Sequence, residues 1–285
     1  MEKPKINYYN KILKELTEFI KEKAGGRPVA IGLSGGIDST LCAFLAYRAL
    51  GKKNIHGILS PSRYTPEEDM EHVMKFAHKI CGKIIKIKRG EIDKIREAYE
   101  HALPWKDENE RIVLDAYIRN TLLRRYSRRE GVRLLGTING TEWKIGYYPK
   151  YSLIGDFLPI AGLFKTEVFE LAEILNLPRE IIEKKPTLGI NRRSGYGCDP
   201  KDITQRKSKI DVELIKTGLN YKELDFILWG IEKNNPNEKI IREAHSINMN
   251  INSKQINAIQ DLVKHYEHKT KLPPFPKIRR TKIGQ

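Results

Sequence analysis

Pro28-Val29-Ala30-Ile31-Gly32-Leu33-Ser34-Gly35-Gly36-Ile37-Asp38-Ser39-Thr40 is the stretch on which the fold turns. Val29 to Leu33 is a short apolar run that reads as a buried strand. It breaks at Ser34-Gly35-Gly36, where small residues let the backbone turn tightly and approach a ligand. From Asp38-Ser39-Thr40 onward, Leu41, Phe44, Leu45, Tyr47, Ala49 and Leu50 recur at helical spacing until Gly51 closes the pattern. A strand, a glycine turn and a helix N-terminus in that order gather unpaired backbone N–H groups and the positive end of the helix dipole, which makes an anion site. No Gly-Lys-Ser/Thr follows the glycines, so the loop is not the Walker type that grips a transferable terminal phosphate.

Outward from that stretch, strand and helix patterns alternate. Residues 6–24 carry Ile6, Tyr9, Ile12, Leu13, Leu16, Phe19 and Ile20 at helical spacing and end at Gly25-Gly26. Ile55 to Leu59 reads as a second strand, and Arg63 lies just past its carboxyl end, well placed to meet a nucleotide. Thr65-Pro66-Glu67-Glu68 has capping-box spacing, with proline expected at the first helical position, and starts a helix to about Cys81. Ile84 to Ile87 is the third strand. Residues 91–130 read as helical with an interruption at Leu103-Pro104-Trp105. Val113, Tyr117, Ile118, Leu122 and Leu123 are expected to form the buried face there, with Arg119, Arg124, Arg125, Arg128 and Arg129 supplying charge. A fourth strand, Val132 to Gly136, leads into Thr137-Ile138-Asn139-Gly140-Thr141-Glu142. The alternation implies an α/β fold, a doubly wound, mostly parallel sheet flanked by helices with ligands at the carboxyl ends of the strands. The last third reads as three helices, Tyr221–Glu232, Asn237–His245 and Ser253–His268. The whole is expected to be one domain over 1–285, with a mobile loop at about 189–216 and a basic tail at about 277–285.

The chain has 285 residues, 40% hydrophobic and 31% charged, and a formal net charge of +16. That surplus suggests an anionic partner: a nucleotide, pyrophosphate, a dinucleotide or a nucleic acid. No run approaches the roughly 20 apolar residues of a membrane span. Met1 to Lys5 has no apolar signal core behind it, so a cytoplasmic location is expected. Three scattered cysteines, Cys42, Cys81 and Cys198, argue against a disulfide framework or a zinc site. Asp38 and Glu142, each just past a strand end, suit Mg²⁺, which takes carboxylate and phosphate oxygens and keeps several waters.

The Ser34-Gly35-Gly36-Ile37-Asp38-Ser39 loop resembles the pyrophosphate loop of the N-type ATP pyrophosphatases, whose sheet is of the adenine nucleotide alpha hydrolase type. Those enzymes split ATP between the α and β phosphates and pass AMP to a substrate. Gly136 to Glu142, Gly146-Tyr147-Tyr148-Pro149-Lys150-Tyr151, Asp156 to Ile160, Leu163-Phe164-Lys165-Thr166-Glu167-Val168, Lys184 to Thr187 and His268 to Pro274 are in turn similar to the successive motifs of the NAD synthetases. The resemblance runs from residue 6 to about 277. It implies ATP-dependent amidation of nicotinate adenine dinucleotide (deamido-NAD) with ammonia by a homodimer. Gly32, Leu33, Ser34, Gly35, Gly36, Ile37, Asp38 and Ser39 would wrap the ATP phosphates, with Arg63, Thr137, Lys165 and Thr187 as further ATP contacts. Asp38 and Glu142 would bind Mg²⁺ and, with Lys165, carry the chemistry. Tyr117, Arg119, Lys150, Asp156, His268 and Lys269 would face deamido-NAD. The ammonia would be free or supplied by a separate glutaminase.

Three departures fall on the acceptor side. Lys150-Tyr151 is followed by Ser152-Leu153-Ile154-Gly155 rather than Gly-Asp-Gly-Gly, and Tyr117 stands where the family carries an arginine. The family's Gln-Thr-Asp-Glu loop gives way to a longer, glycine- and charge-rich stretch, Gly189 to Lys216. An alternative acceptor such as an RNA base, or a nucleotide-binding paralogue without turnover, therefore stays open on sequence.

Overall fold

Four short strands form one all-parallel sheet: β1 (Val29–Gly32), β2 (Ile55–Leu59), β3 (Lys83–Lys86) and β4 (Arg133–Leu135), in the order β3-β2-β1-β4. Val29 pairs with Ile55 on one side and Arg133 on the other. This computed structural model describes residues 3–61, 65–106, 108–150, 155–183 and 217–271. Arg63, Thr187, Cys198, the 189–216 stretch and the 277–285 tail lie outside the described residues, as do Tyr151 to Ile154 and Leu272 to Pro274.

Helix α1 (Lys3–Ala24) precedes the sheet, α2 (Ile37–Leu50) joins β1 to β2, and α3 (Glu67–Ile80) joins β2 to β3. Two helices, α4 (Glu91–Ala102) and α5 (Glu108–Glu130), join β3 to β4. Successive strand residues point to opposite faces, and the strands are apolar on both. Val29, Ile31, Ile55, Leu59 and Leu135 pack with Ile20, Leu41, Leu45 and Ala77 on one face. Ala30, Ile58 and Leu134 pack with Tyr126 of α5 on the other. Each fully buried leucine or isoleucine contributes about 1.5–3 kcal/mol, and this two-sided burial holds the sheet between helical layers.

The strand order places a switch point between β1 and β4. The chain winds from β1 to β3 in one direction, then crosses to β4 on the other side of β1. Ligands bind at such a point, outside the carboxyl ends of the strands. Here those ends run into Ser34-Gly35-Gly36 and Gly136 to Asn139.

Beyond β4 the chain forms α6 (Gly140–Ile145), α7 (Lys165–Ile174) and α8 (Arg179–Ile182), then α9 (Tyr221–Glu232), α10 (Asn237–Ser246) and α11 (Ser253–Tyr266). The last three enclose a second core of Leu224, Ile227, Leu228, Ile240, Ala244, Ile256, Ile259 and Leu262, to which Ile145 of α6 belongs. Helix α6 is thus the join between sheet and C-terminal layer. No helix among the described residues is long and apolar enough to cross a membrane.

Two expectations are corrected. Pro66 is the N-cap of α3, with extended ψ 144°, and no side chain caps the helix, so neither the capping box at Thr65 nor a first-turn proline forms. Glu67, Glu68 and Asp69 complement the helix dipole instead. On α5, Val113, Tyr117, Leu122 and Leu123 are only partly covered, and the residues buried with Ile118 are Asp115, Asn120 and Tyr126. The inward face is polar here because Asp115 is paired: Arg96 of α4 donates to both its oxygens at 2.8 and 3.0 Å, and to Asp93 at 2.5 Å.

The segment after residue 154 returns along β4. Asp156 N donates to Leu134 O (2.6 Å), Gly136 N to Phe157 O (3.0 Å), and Leu134 N to the Asp156 carboxylate (2.9 Å). Gly155 makes this approach possible: its φ is +137°, and a Cβ there would lie 2.5 Å from Gly136 N and 2.8 Å from Leu134 O. Gly155→Ala should therefore cost about 2 kcal/mol or more from backbone strain and overpacking. A urea transition should shift to lower midpoint at unchanged slope; an unchanged midpoint would contradict the close approach.

Candidate active site

The loop after β1 is tied to itself by its serines. Ser34 Oγ and Ser39 Oγ are 3.0 Å apart, Gly36 N donates to Ser34 Oγ (3.2 Å), and Ser39 Oγ donates to Gly36 O (2.9 Å). Gly35 takes φ +78°, a left-handed conformation that glycine adopts without strain. Gly36, the N-cap of α2, offers no side-chain acceptor, which leaves first-turn N–H groups of α2 for an anion.

Asp38, in that first turn, is the hub. Its Oδ2 accepts from Lys165 Nζ (2.5 Å) and its Oδ1 from Asn139 Nδ2 (3.0 Å). Asn139 is fully buried and caps α6: its Oδ1 accepts from Glu142 N (2.9 Å), while Glu142 Oε2 accepts from Asn139 N (3.2 Å). Glu142, read from sequence as a loop residue, is therefore a first-turn residue of α6. Lys165 is the first residue of α7 and only 4% exposed. Three helix N-termini, those of α2, α6 and α7, thus contribute to one place. Two carboxylates sit in their first turns, where the dipole favours them, and one lysine sits where the dipole does not.

Burial first, and then the charge of Asp38, push the Glu142 carboxyl up to about 7, against the opposing pull of Lys165 and Asn139 N–H. Cys42, buried beneath with its Sγ 3.7 Å from Gly136 O, is pushed well above the usual thiol range by burial and the same two acids. Among the described residues no three His, Cys, Asp or Glu side chains gather around a metal position. The two carboxylates supply the hard oxygen donors that suit Mg²⁺, which would take its remaining ligands from phosphate and water, with Asp38 Oδ2 exchanging the Lys165 ammonium for the ion.

The acceptor-side candidates divide. Tyr117 Oη donates to Lys150 O (2.6 Å), so those two meet. Arg119 reaches the carboxyl end of β2, with Nε 3.4 Å from Ser60 O, and lies 3.8 Å from Asp115, whose oxygens Arg96 already holds. Burial lowers the Arg119 pKa. The Asp156 carboxylate accepts from the β4 backbone. Lys269 Nζ donates to Gly146 O (2.6 Å) and Tyr148 O (2.8 Å), clasping the segment after α6. Burial pulls Lys269 down to about 8, while those carbonyls and the Tyr266 ring 4.4 Å away favour its ammonium. His268 is exposed beside His265 O (2.9 Å). Thr137 is half-buried just past β4.

Sequence reasoning missed Asn139, Thr141 and Asp225. The first had a signal, Asn139-x-x-Glu142, which is N-cap spacing. Asp225 is one acid on a helix that also carries Lys222, Glu223 and Glu232, and Thr141 is one small residue among many; neither carries a local signature.

A family model described as NAD synthase matches residues 8–273. The NH(3)-dependent NAD(+) synthetase of Pyrococcus furiosus is 34% identical over 273 residues, which is 95% of this chain and 95% of that protein. The protein of the same name from Methanocaldococcus jannaschii is 35% identical over 276 residues, covering 94% of this chain and 96% of its own length. Among solved structures, the NH3-dependent NAD synthetase from Campylobacter jejuni superposes with a TM-score of 0.72 at 25% identity, over 94% of this chain and 99% of that one.

Asn139→Ala should remove both the α6 cap and the donor to half-buried Asp38, and lower stability by roughly 1–3 kcal/mol. Asn139→Asp keeps a cap but sets a third carboxylate against Asp38. Chemical denaturation at pH 7 should find it no more stable than the alanine variant.

Proposed function

The chain belongs to the NAD synthase family, and we propose that it amidates deamido-NAD with ammonia, coupled to cleavage of ATP to AMP and pyrophosphate. The observation that carries this reading is the Asp38–Lys165 pair at the mouth of the Ser34–Ser39 loop. A buried ammonium set beside an anion loop is what a departing pyrophosphate requires.

A carboxylate resists amidation, because its charge repels a nucleophile and oxide is a poor leaving group. In the proposed first step the nicotinate carboxylate oxygen attacks the α-phosphorus of ATP, the bond to the β-phosphate bridging oxygen breaks, and pyrophosphate leaves with that electron pair. The product is an acyl adenylate. Ammonia then attacks the carbonyl carbon, AMP departs with the acyl–oxygen bonding pair, and the nitrogen loses a proton to solvent. No protein nucleophile is needed.

Loop N–H groups from Gly32 to Ser39, with Thr137, orient the phosphates. Lys165 shifts from Asp38 toward the charge that develops on the leaving group. Asp38 and Glu142 would hold Mg²⁺, which when bound neutralises phosphate charge. Arg63 and Thr187 complete the proposed ATP contacts. Tyr117, Arg119, Lys150 and His268 take the dinucleotide side, while Asp156 and Lys269 act by holding the β4 edge and the segment after α6. Tyr117, in place of an arginine, contributes an aromatic face and a hydroxyl rather than a charge. The ammonia is free or delivered by a separate glutaminase. We also propose a homodimer, with α1 and the partly covered face of α5 at its two-fold interface.

With ATP, Mg²⁺, ammonia and deamido-NAD, the protein should yield NAD, AMP and pyrophosphate in equal amounts. ADP with phosphate would overturn the reaction class, and AMP formation only with RNA would overturn the acceptor. Asp38→Asn should lower kcat by roughly 10²–10³-fold, the scale of losing one preorganised charged group. Sedimentation at micromolar concentration should give twice the 33.0 kDa chain mass; a monomer alone would refute the dimer.

A further inference from the structure

Lys165 opens α7, yet the local sequence does not cap that helix. The residue before it, Phe164, has no side-chain acceptor; only its own N–H is satisfied, by Glu167 Oε2 at 2.9 Å. The missing acceptors come from elsewhere in the chain. Asp225, 4% exposed in the middle of α9, accepts from Thr166 N at 2.8 Å on Oδ2 and from the Thr141 hydroxyl at 2.5 Å on Oδ1. Thr141 Oγ1 in turn accepts from Lys165 N at 2.8 Å. One carboxylate of the C-terminal layer therefore satisfies one first-turn N–H of α7 directly, that of Thr166, and fixes the hydroxyl that satisfies a second, that of Lys165.

Thr141 is also the residue before Glu142 in α6, so the same carboxylate joins the first turns of α6 and α7. Gly140 N, bonded to Leu163 O at 2.6 Å, closes the same junction from the backbone side. Around Asp225 the helix is apolar: Leu224, Ile227 and Leu228 are buried. Burying an acid there is costly unless each oxygen has donors. Both oxygens have them, and both sets of donors belong to the elements that carry Lys165 and Glu142.

We propose that Asp225 is a positioning residue for Lys165: it caps α7 from a distant helix and, through Thr141, fixes where the Lys165 ammonium meets Asp38 and the nucleotide. The inference rests on the reading of Lys165 as the cation that faces the leaving pyrophosphate. It adds that this cation is aimed from the C-terminal layer, not by its own helix.

The test compares Asp225→Asn, Thr141→Val, Thr141→Ser and the Asp225→Asn/Thr141→Val double variant. Asparagine keeps the volume and one acceptor for Thr166 N, but its amide end cannot accept from Thr141. Steady-state assays with ATP, ammonia and deamido-NAD are paired with pulsed reductive methylation of lysines read by peptide mass spectrometry, with exposed Lys11 as internal reference. Asp225→Asn and Thr141→Val should each lower kcat about 10–100-fold, the scale of a misplacement of roughly 1 Å. KM for ATP should change less than about 3-fold and Lys165 labelling should rise several-fold over Lys11. Thr141→Ser should behave as wild type, and the double variant should fall no further than the worse single. Wild-type kcat in a folded Asp225→Asn, unchanged Lys165 labelling, or multiplying single effects would each overturn the proposal. If Asp225→Asn does not fold, Thr141→Val, which keeps the carboxylate, carries the same expectations. If the wild type makes no NAD, the reaction is misread, while the labelling arm still decides the positioning.

Discussion

The Asp38–Lys165 ion pair joins residues 127 positions apart, the lysine buried and the carboxylate partly open to solvent. Neither partner is at ease alone. Lys165 is a cation at the positive end of α7, with the N-termini of α2 and α6 contributing to the same place, and removing its partner would leave a buried charge uncompensated at a cost of about 3–5 kcal/mol. Asp38 without Lys165 would face the Glu142 carboxyl with no cation to offset the repulsion. On the reaction proposed above, the pair is a resting arrangement that a polyphosphate would rearrange, its oxygens replacing the carboxylate as the lysine's anion. On that proposal, the need to compensate a buried lysine is also what leaves a cation for a nucleotide.

Topology brings the pair about. A parallel sheet in the order β3-β2-β1-β4 opens its switch point beside β1, so the turn after β1 and the turn after β4 lie side by side. Each turn begins a helix, and Asn139 locks them together by capping α6 while donating to Asp38 of α2. The third helix end, that of α7, follows a segment, 155–157, that lies parallel beside β4, where a Cβ on Gly155 would meet the β4 backbone. Helix N-termini favour carboxylates in their first turns, and burial, followed by the charge of Asp38, pushes the Glu142 carboxyl up to about 7.

What could be read before folding was what is local. The β1–loop–α2 unit is contiguous in sequence, so its strand, its glycines and Asp38 were legible as one object, and the alternation of strands and helices carried the sheet. Glu142 was legible as a residue but not as a helical one, although Asn139 three positions earlier marks a cap. Pro66 was misjudged by one position, because a proline suits both the N-cap and the first turn sterically and only the surrounding geometry chooses. The buried polar face of α5 was invisible: Asp115 looks like a surface acid until Arg96, on another helix, is brought against it. Asp225 is the extreme case, since its donors lie 84 and 59 residues away, and no periodicity or spacing records a bond between three helices.

The same distinction accounts for the charge. A net +16 invites thoughts of nucleic acid, yet the charges inside the described residues are not the source of it: Asp93 and Asp115 stand against Arg96 and the partly exposed Arg119, Asp38 stands against Lys165, and Asp225 adds a buried negative charge. Among the described residues, Arg124, Arg125, Arg128 and Arg129 are exposed along the outer part of the helix that also carries Tyr117 and Arg119 inward. Surface charge is screened over about 8–10 Å at physiological salt, so such a stripe does little for a bound ligand's orientation. It raises the encounter rate of anions with the mouth of the site. For an enzyme whose two large substrates are both polyanions, that is reason enough for the surplus, and orientation is left to the few buried groups whose charges are paired.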